Sequence, residues 1–125
     1  MLYSFDSDKY IKTLPHKKQY DMWRKKLSNV DHEIICNEIM QHFNEKEVNT
    51  SSFIPGKDWT GTVYDPLYHA CGGNVEASGL FFGLIVWKLL MDNPDVVWGF
   101  GRYRINDVDI RGMTYFIVSN PPEDR

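Results

Sequence analysis

The stretch VEASGLFFGLIVWKLLMD, residues 75–92, decides the fold because it holds the longest uncharged apolar run of the chain. Its apolar residues cover the helix surface almost all round, which is typical of a helix that is buried on every side. Asn74 is a favourable N-cap residue, and Asn93-Pro94 stops a helix. We therefore predict a central, buried helix over about residues 75–92.

Two amphipathic helices precede this central helix. Apolar residues recur at helical spacing in both segments: Tyr20, Trp23 and Leu27, then Ile35, Ile39 and Phe43. The spacing predicts a first helix over residues 16–27 and a second over about 30–46. Ser28 or Asn29 can cap the second helix. Each apolar face must pack on another part of the chain.

The remaining segments favour strands. Residues 48–54 are predicted to form a short strand that ends at Pro55-Gly56. Residues 97–105 and 110–118 are rich in β-branched and aromatic side chains, and the turn-like segment between them predicts a C-terminal hairpin. The order is then α-α-β-α-β-β. We predict an α+β fold in which a small antiparallel sheet of about three strands packs with about three helices.

The chain of 125 residues is expected to form a single domain, residues 1–125. Within it, residues 1–15 are predicted to be an irregular N-terminal segment, and residues 119–125 a frayed tail. No motif is specific enough to indicate a family.

Composition narrows the class of protein. The chain is 42% hydrophobic and 25% charged, which is typical of a soluble globular protein. The net charge of −3 does not point to general polyanion binding, so nucleic acid is not the expected partner, although the charge leaves room for a local basic patch. The first residues lack a secretory signal, the longest apolar run is too short to span a bilayer, and two cysteines suit a reducing compartment. We expect a cytoplasmic protein with no membrane partner and no cofactor.

The first candidate site is the strand predicted over residues 97–105. Alternation along a strand places Trp98, Phe100, Arg102 and Arg104 on one face and the glycines of the segment on the other. If the glycine face meets the central helix, the aromatic and arginine face is exposed. Such a surface is typical of protein interfaces. We therefore expect a binding protein that engages or inhibits a partner protein through this surface, or associates with a second copy of itself.

The turn-rich loop of residues 55–74 is the second candidate. It leads into the N-terminus of the central helix, where free N–H groups attract anions. The alternative hypothesis is a site for a nucleotide-like anion. It would be formed by the loop residues Trp59, Thr60 and Thr62 together with Arg102 or Arg104. The loop lacks the Gly-Lys-Ser/Thr ending of a P-loop. The competing interpretation is that these residues only turn the chain.

Two further hypotheses depend on cysteine. Cys71 precedes a helix N-terminus, which can lower a thiol pKa, and His69 with Asp65 could supply and orient a base for a hydrolase or transferase. His32 and Cys36, with His69 and Cys71, contain the four ligand types of a zinc site, although neither pair has a common zinc spacing. Recognised catalytic motifs are absent from the sequence, so we expect a binding protein rather than an enzyme.

Overall fold

The computed structural model of the chain describes residues 1–4, 7–43, 47–49, 61–100, 114–118 and 120–121. Within these residues it contains four helices and five strands. In chain order they are β1 (Leu2–Ser4), β2 (Lys9–Ile11), α1 (Lys17–Lys25), α2 (Asn29–His42), β3 (Glu47–Asn49), α3 (Asp65–Ala70), α4 (Val75–Asp92), β4 (Trp98–Phe100) and β5 (Thr114–Ile117). The fold is α+β, as predicted.

The strands form one sheet in the order β2-β1-β4-β5-β3. Strand β1 pairs in parallel with β4, whereas the other neighbours are antiparallel. The predicted pairing of the last two strands is confirmed, with Gly99 opposite Phe116. The prediction of about three antiparallel strands is wrong, because the segment predicted as irregular supplies β1 and β2. Leu2 of β1 is fully buried and belongs to the core, whereas β2 is an edge strand on which Lys9 is exposed.

Helix α4 has the predicted boundaries. The Asn74 side chain accepts a hydrogen bond from the backbone N–H of Ala77 at 3.0 Å, which confirms the predicted N-cap. Helices α1, α2 and α3 contact α4, and so does strand β1. The helix is therefore central and largely buried, as its composition predicts. Among the described residues, no helix combines the length and apolarity needed to cross a membrane.

Aromatic side chains join the elements to α4. Phe81 packs against Tyr20 and Trp23 of α1, with ring centroids 5.8 and 5.6 Å apart. On the sheet side, Trp87 packs against Phe100 at 5.0 Å. Fully burying an aromatic or aliphatic side chain of this size stabilises the folded state by about 1.5–3 kcal/mol. These contacts fix α4 between the sheet and the other helices.

Helix α2 begins where predicted and ends earlier. The Ser28 hydroxyl accepts a hydrogen bond from the backbone N–H of Asp31 at 3.1 Å, so Ser28 is the N-cap. The helix ends at His42, not near residue 46, and residues 44–46 lie outside the described part of the chain. Helix α1 is also shorter than the predicted 16–27.

The described part of the loop, residues 61–74, contains helix α3. This helix starts at Asp65, with Pro66 in its first turn. Gly72 and Gly73 follow the helix with φ of 66° and 78°, in the left-handed region that glycine tolerates best. Two glycines are thus needed to reverse the chain between α3 and α4. Of the strand predicted over residues 48–54, the described part is within β3, and residues 50–60 lie outside the described range.

Candidate functional site

The first predicted site, the aromatic and arginine surface, is not formed by Trp98 and Phe100. These side chains are only 2% and 5% exposed. Trp98 packs edge-on against Phe43, with ring centroids 5.1 Å apart, and Phe100 packs on Trp87 of α4. The large rings therefore face the core, and alternation turns Gly99 to the opposite side of the sheet. The prediction that Trp98 and Phe100 are exposed is wrong. Arg102 and Arg104 lie outside the described residues.

The second predicted site, the 55–74 loop, is described only from residue 61. Trp59 and Thr60 lie outside that range. The Thr62 hydroxyl accepts a hydrogen bond from the backbone N–H of Tyr64 at 3.2 Å, which stabilises the turn before α3. At the N-terminus of α4, the cap from Asn74 already engages the N–H of Ala77. The polar groups described here thus satisfy the local backbone.

The third predicted site is the cysteine centre at Cys71. His69 lies beside Asp65, with Nε2 and Oδ2 3.3 Å apart, and its side chain is 73% exposed. The Cys71 backbone N–H donates to the His69 carbonyl, but within the described residues no side-chain hydrogen bond joins His69 to the Cys71 thiol. Burial raises the pKa of the Cys71 thiol to about 11, although a hydrogen bond with Ser78 and the charge of Lys26 act in the opposite direction. The thiol is therefore protonated at neutral pH, which does not suit a nucleophile.

The four predicted zinc ligands do not come together. His32 and Cys36 lie on α2, whereas His69 belongs to α3 and Cys71 follows it directly. Across the described residues there is no group of three or more His, Cys, Asp or Glu side chains that could hold a metal ion. The four-residue zinc hypothesis therefore has no support within the described residues. His32 and Cys36 do lie together: Cys36 Sγ is 3.6 Å from His32 Nε2 and 3.8 Å from His32 Nδ1.

That pair adjoins a small cavity between α1, α2 and α4. The cavity has a volume of about 100 Å³ and is lined by Tyr20, His32, Ile85, Lys88, Leu89 and Asp92. Lys88 and Asp92 form an ion pair at 2.8 Å. Burial lowers the pKa of His32, and the charges of Arg24 and Lys88 lower it further. Burial raises the pKa of Cys36, against the charge of Arg24.

Sequence reasoning identified His32 and Cys36 but missed Lys88 and Asp92. A signal for them exists, because they are charged residues one turn apart at the end of an otherwise apolar helix. A larger cavity, of about 280 Å³, shares Asp92 and is lined by Met1, Tyr10, Ile11, Lys12, Met91 and Asp92. It lies between β2 and the C-terminal end of α4.

Sequence reasoning also missed the outer face of α2. Val30 and Ile34 lie one turn apart on this helix, opposite its buried residues Ile35 and Ile39. They are 68% and 47% exposed. We call these two side chains the α2 patch. The signal in the sequence is their i, i+4 spacing outside the predicted apolar stripe.

No protein-family model, curated protein or solved structure matches this chain. The geometry described above is therefore the basis for its proposed function.

Proposed function

We propose that the protein is a small cytoplasmic binding protein that engages a partner protein through the α2 patch. The observation that supports this proposal is the exposure of Val30 and Ile34, at 68% and 47%. Burying the exposed fractions of both side chains against a partner would contribute about 2–3 kcal/mol in total, since burying a fully exposed side chain of this kind is worth about 1.5–3 kcal/mol. The patch takes the place of the strand surface, whose aromatic residues are committed to the core.

The charges around the patch favour a partner with a basic surface. Asp31, Glu33 and Glu38 lie on α2, whereas α1 carries basic residues. Charged rims contribute chiefly to the rate and selectivity of association, and the apolar centre contributes to affinity. A second copy of this chain is one such partner, because basic α1 of one copy can face acidic α2 of the other.

The other hypotheses receive less support. The described polar groups of the 55–74 loop satisfy the backbone, and the raised pKa of Cys71 opposes its use as a nucleophile. Neither a nucleotide-like ligand nor a Cys71-dependent hydrolase or transferase is favoured by a specific contact within the described residues.

A photocrosslinking amino acid at position 34 tests the proposal, with the same amino acid at position 63 as the matched control. Val63 is also an exposed aliphatic residue, at 38%, but it lies outside α2. We expect a discrete crosslinked protein from position 34 that is lost in the Val30→Asp variant and absent from position 63. The crosslinked species is identified by mass spectrometry, which separates a second copy of the chain from another protein. Equal crosslinking from both positions, or crosslinking that Val30→Asp does not change, would refute the proposal.

A further inference from the structure

His32 and Cys36 place an imidazole and a thiol side by side on α2. They are four residues apart on α2, so their side chains lie on one face of the helix. Cys36 Sγ is 3.6 Å from His32 Nε2 and 3.8 Å from His32 Nδ1. Both side chains are half-buried, and His32 lines the cavity of about 100 Å³. The question is which ligand such a pair would take.

The separation between sulfur and nitrogen matches that of two ligands on one zinc ion. Zinc binds cysteine sulfur at about 2.3 Å and histidine nitrogen at about 2.0–2.1 Å, in tetrahedral geometry. A tetrahedral angle between bonds of these lengths places the two ligand atoms about 3.6 Å apart. At 3.6 Å the two side chains are already close enough to share one zinc ion without a backbone movement. Two histidines at this same helical spacing bind zinc in other proteins.

We propose that His32 and Cys36 form a two-residue chelate for a thiophilic divalent cation of the zinc class. Cys36 Sγ is almost equally far from both ring nitrogens of His32. Neither nitrogen lone pair therefore points at the place between the sulfur and the ring where a metal ion would lie. Binding therefore requires the imidazole to turn about its Cβ–Cγ bond, and the adjoining cavity gives the ring room to do so. The remaining two coordination positions are filled by water or by a bound molecule.

The surrounding charges set the strength of the site. Lys88 is held by Asp92 at 2.8 Å, and Arg24 donates to the Leu27 carbonyl and the Asn29 side chain, each at 2.9 Å. Both cations oppose a divalent ion, while the thiolate and Asp92 favour it. Two protein ligands beside two cations make a weaker site than a four-ligand structural zinc centre, and one from which the metal exchanges. When the metal binds, the Cys36 thiol loses its proton to solvent and the sulfur forms the metal bond.

Cobalt is the probe for this site, because a sulfur–cobalt bond gives a charge-transfer absorption band in the near ultraviolet. We expect titration of the purified chain with Co²⁺ to give this band at a stoichiometry of one, and added Zn²⁺ to remove it. Cys36→Ser should abolish the band. His32→Ala should weaken cobalt binding at least tenfold, since loss of a group that only hydrogen-bonds to a metal ligand already costs about 10–100-fold. Cys71→Ser is the matched control and should leave the titration unchanged.

The pH dependence provides a second measurement. Because one thiol proton is released, the apparent affinity should rise about tenfold per pH unit below the thiol pKa. Circular dichroism of each variant without metal shows that it is folded. Absence of the band at millimolar cobalt in the folded wild-type chain would overturn the proposal. So would a band that survives in Cys36→Ser and disappears in Cys71→Ser.

Discussion

Replacing Tyr115 with phenylalanine is expected to stabilise the protein. Tyr115 lies on β5, is fully buried, and packs between Phe43 and Phe100, with ring centroids 6.0 and 6.4 Å away. Its hydroxyl is buried and has no hydrogen-bond partner within the described part of the chain. The folded state therefore carries the cost of removing this hydroxyl from water without a compensating contact.

The size of the effect follows from two opposing contributions. Burying an unpaired hydroxyl costs about 1–3 kcal/mol in proteins. Phenylalanine keeps the ring contacts but leaves a small void, which costs up to about 1 kcal/mol. We therefore expect the free energy of unfolding to increase by about 1 kcal/mol. For a chain of this length that raises Tm by about 3–5 °C.

Urea unfolding followed by tryptophan fluorescence measures the change, with Tyr3→Phe as the matched control. The Tyr3 hydroxyl donates a hydrogen bond to the Asp8 carboxylate, so its removal should destabilise the protein. Burial raises the pKa of Tyr115 above its ordinary value of 10.0. The unfolded chain ionises first as pH rises, so stability from this group is present below pH 10 and is lost above it. The advantage of Tyr115→Phe should therefore grow above pH 10.

A loss of 1 kcal/mol or more in Tyr115→Phe would refute the reasoning, because the hydroxyl would then make a favourable hydrogen bond in the folded molecule. An equal change in the free energy of unfolding for Tyr115→Phe and Tyr3→Phe would show that the two hydroxyls are equally well paired. The outcome depends on the sign of the change, which a difference in urea midpoint measures directly.

Three further predictions concern other parts of the chain. Iodoacetamide should alkylate Cys71 slowly at neutral pH, with a rate that rises towards pH 11, because burial raises its pKa to about 11; a rate that levels off below pH 8 would contradict this. Asn74→Ala should lower the free energy of unfolding by about 1 kcal/mol through loss of the α4 cap, and Asn74→Asp should retain it. His16 has a φ of 53°, so His16→Gly should stabilise the protein by about 0.5 kcal/mol. Lys17→Gly, at the first residue of α1, should instead destabilise it by about 0.5 kcal/mol, because it removes the ion pair with Asp21; thermal unfolding measures both changes.

The sequence predicts α4 accurately because the residues that start and stop this helix lie next to its ends in the chain. Asn74 supplies a side-chain oxygen for the first turn, and Asn93-Pro94 cannot continue a helix, so both ends are set by neighbouring residues. Strands β1 and β2 are different. Each has three residues, too few to show an alternating pattern, and β1 is held by parallel pairing with β4, more than 90 residues away in the chain. Pairing at that distance leaves no signal in either segment alone.

The orientation of β4 also depends on contacts beyond the strand. Alternation separates Trp98 and Phe100 from Gly99, but both faces of the segment are compatible with burial. The choice is decided by α4, where Trp87 presents a large ring to the sheet. Packing Phe100 there buries much more apolar surface than a glycine could, so the aromatic face turns inwards. A single strand does not contain this information, because it lies in the helix that covers the strand.

Cys71 shows how a correct local observation can lead to a wrong expectation about chemistry. A helix N-terminus lowers a thiol pKa only when its N–H groups remain available to the sulfur. Here Asn74 takes the N–H of Ala77, and the same turn packs the Cys71 side chain against the core. Burial then dominates the weaker contributions of Ser78 and Lys26, and the pKa rises. The spacing of His32 and Cys36, in contrast, is a property of one helix, so the sequence predicts it, whereas the cavity beside them exists only because α4 passes across α1 and α2.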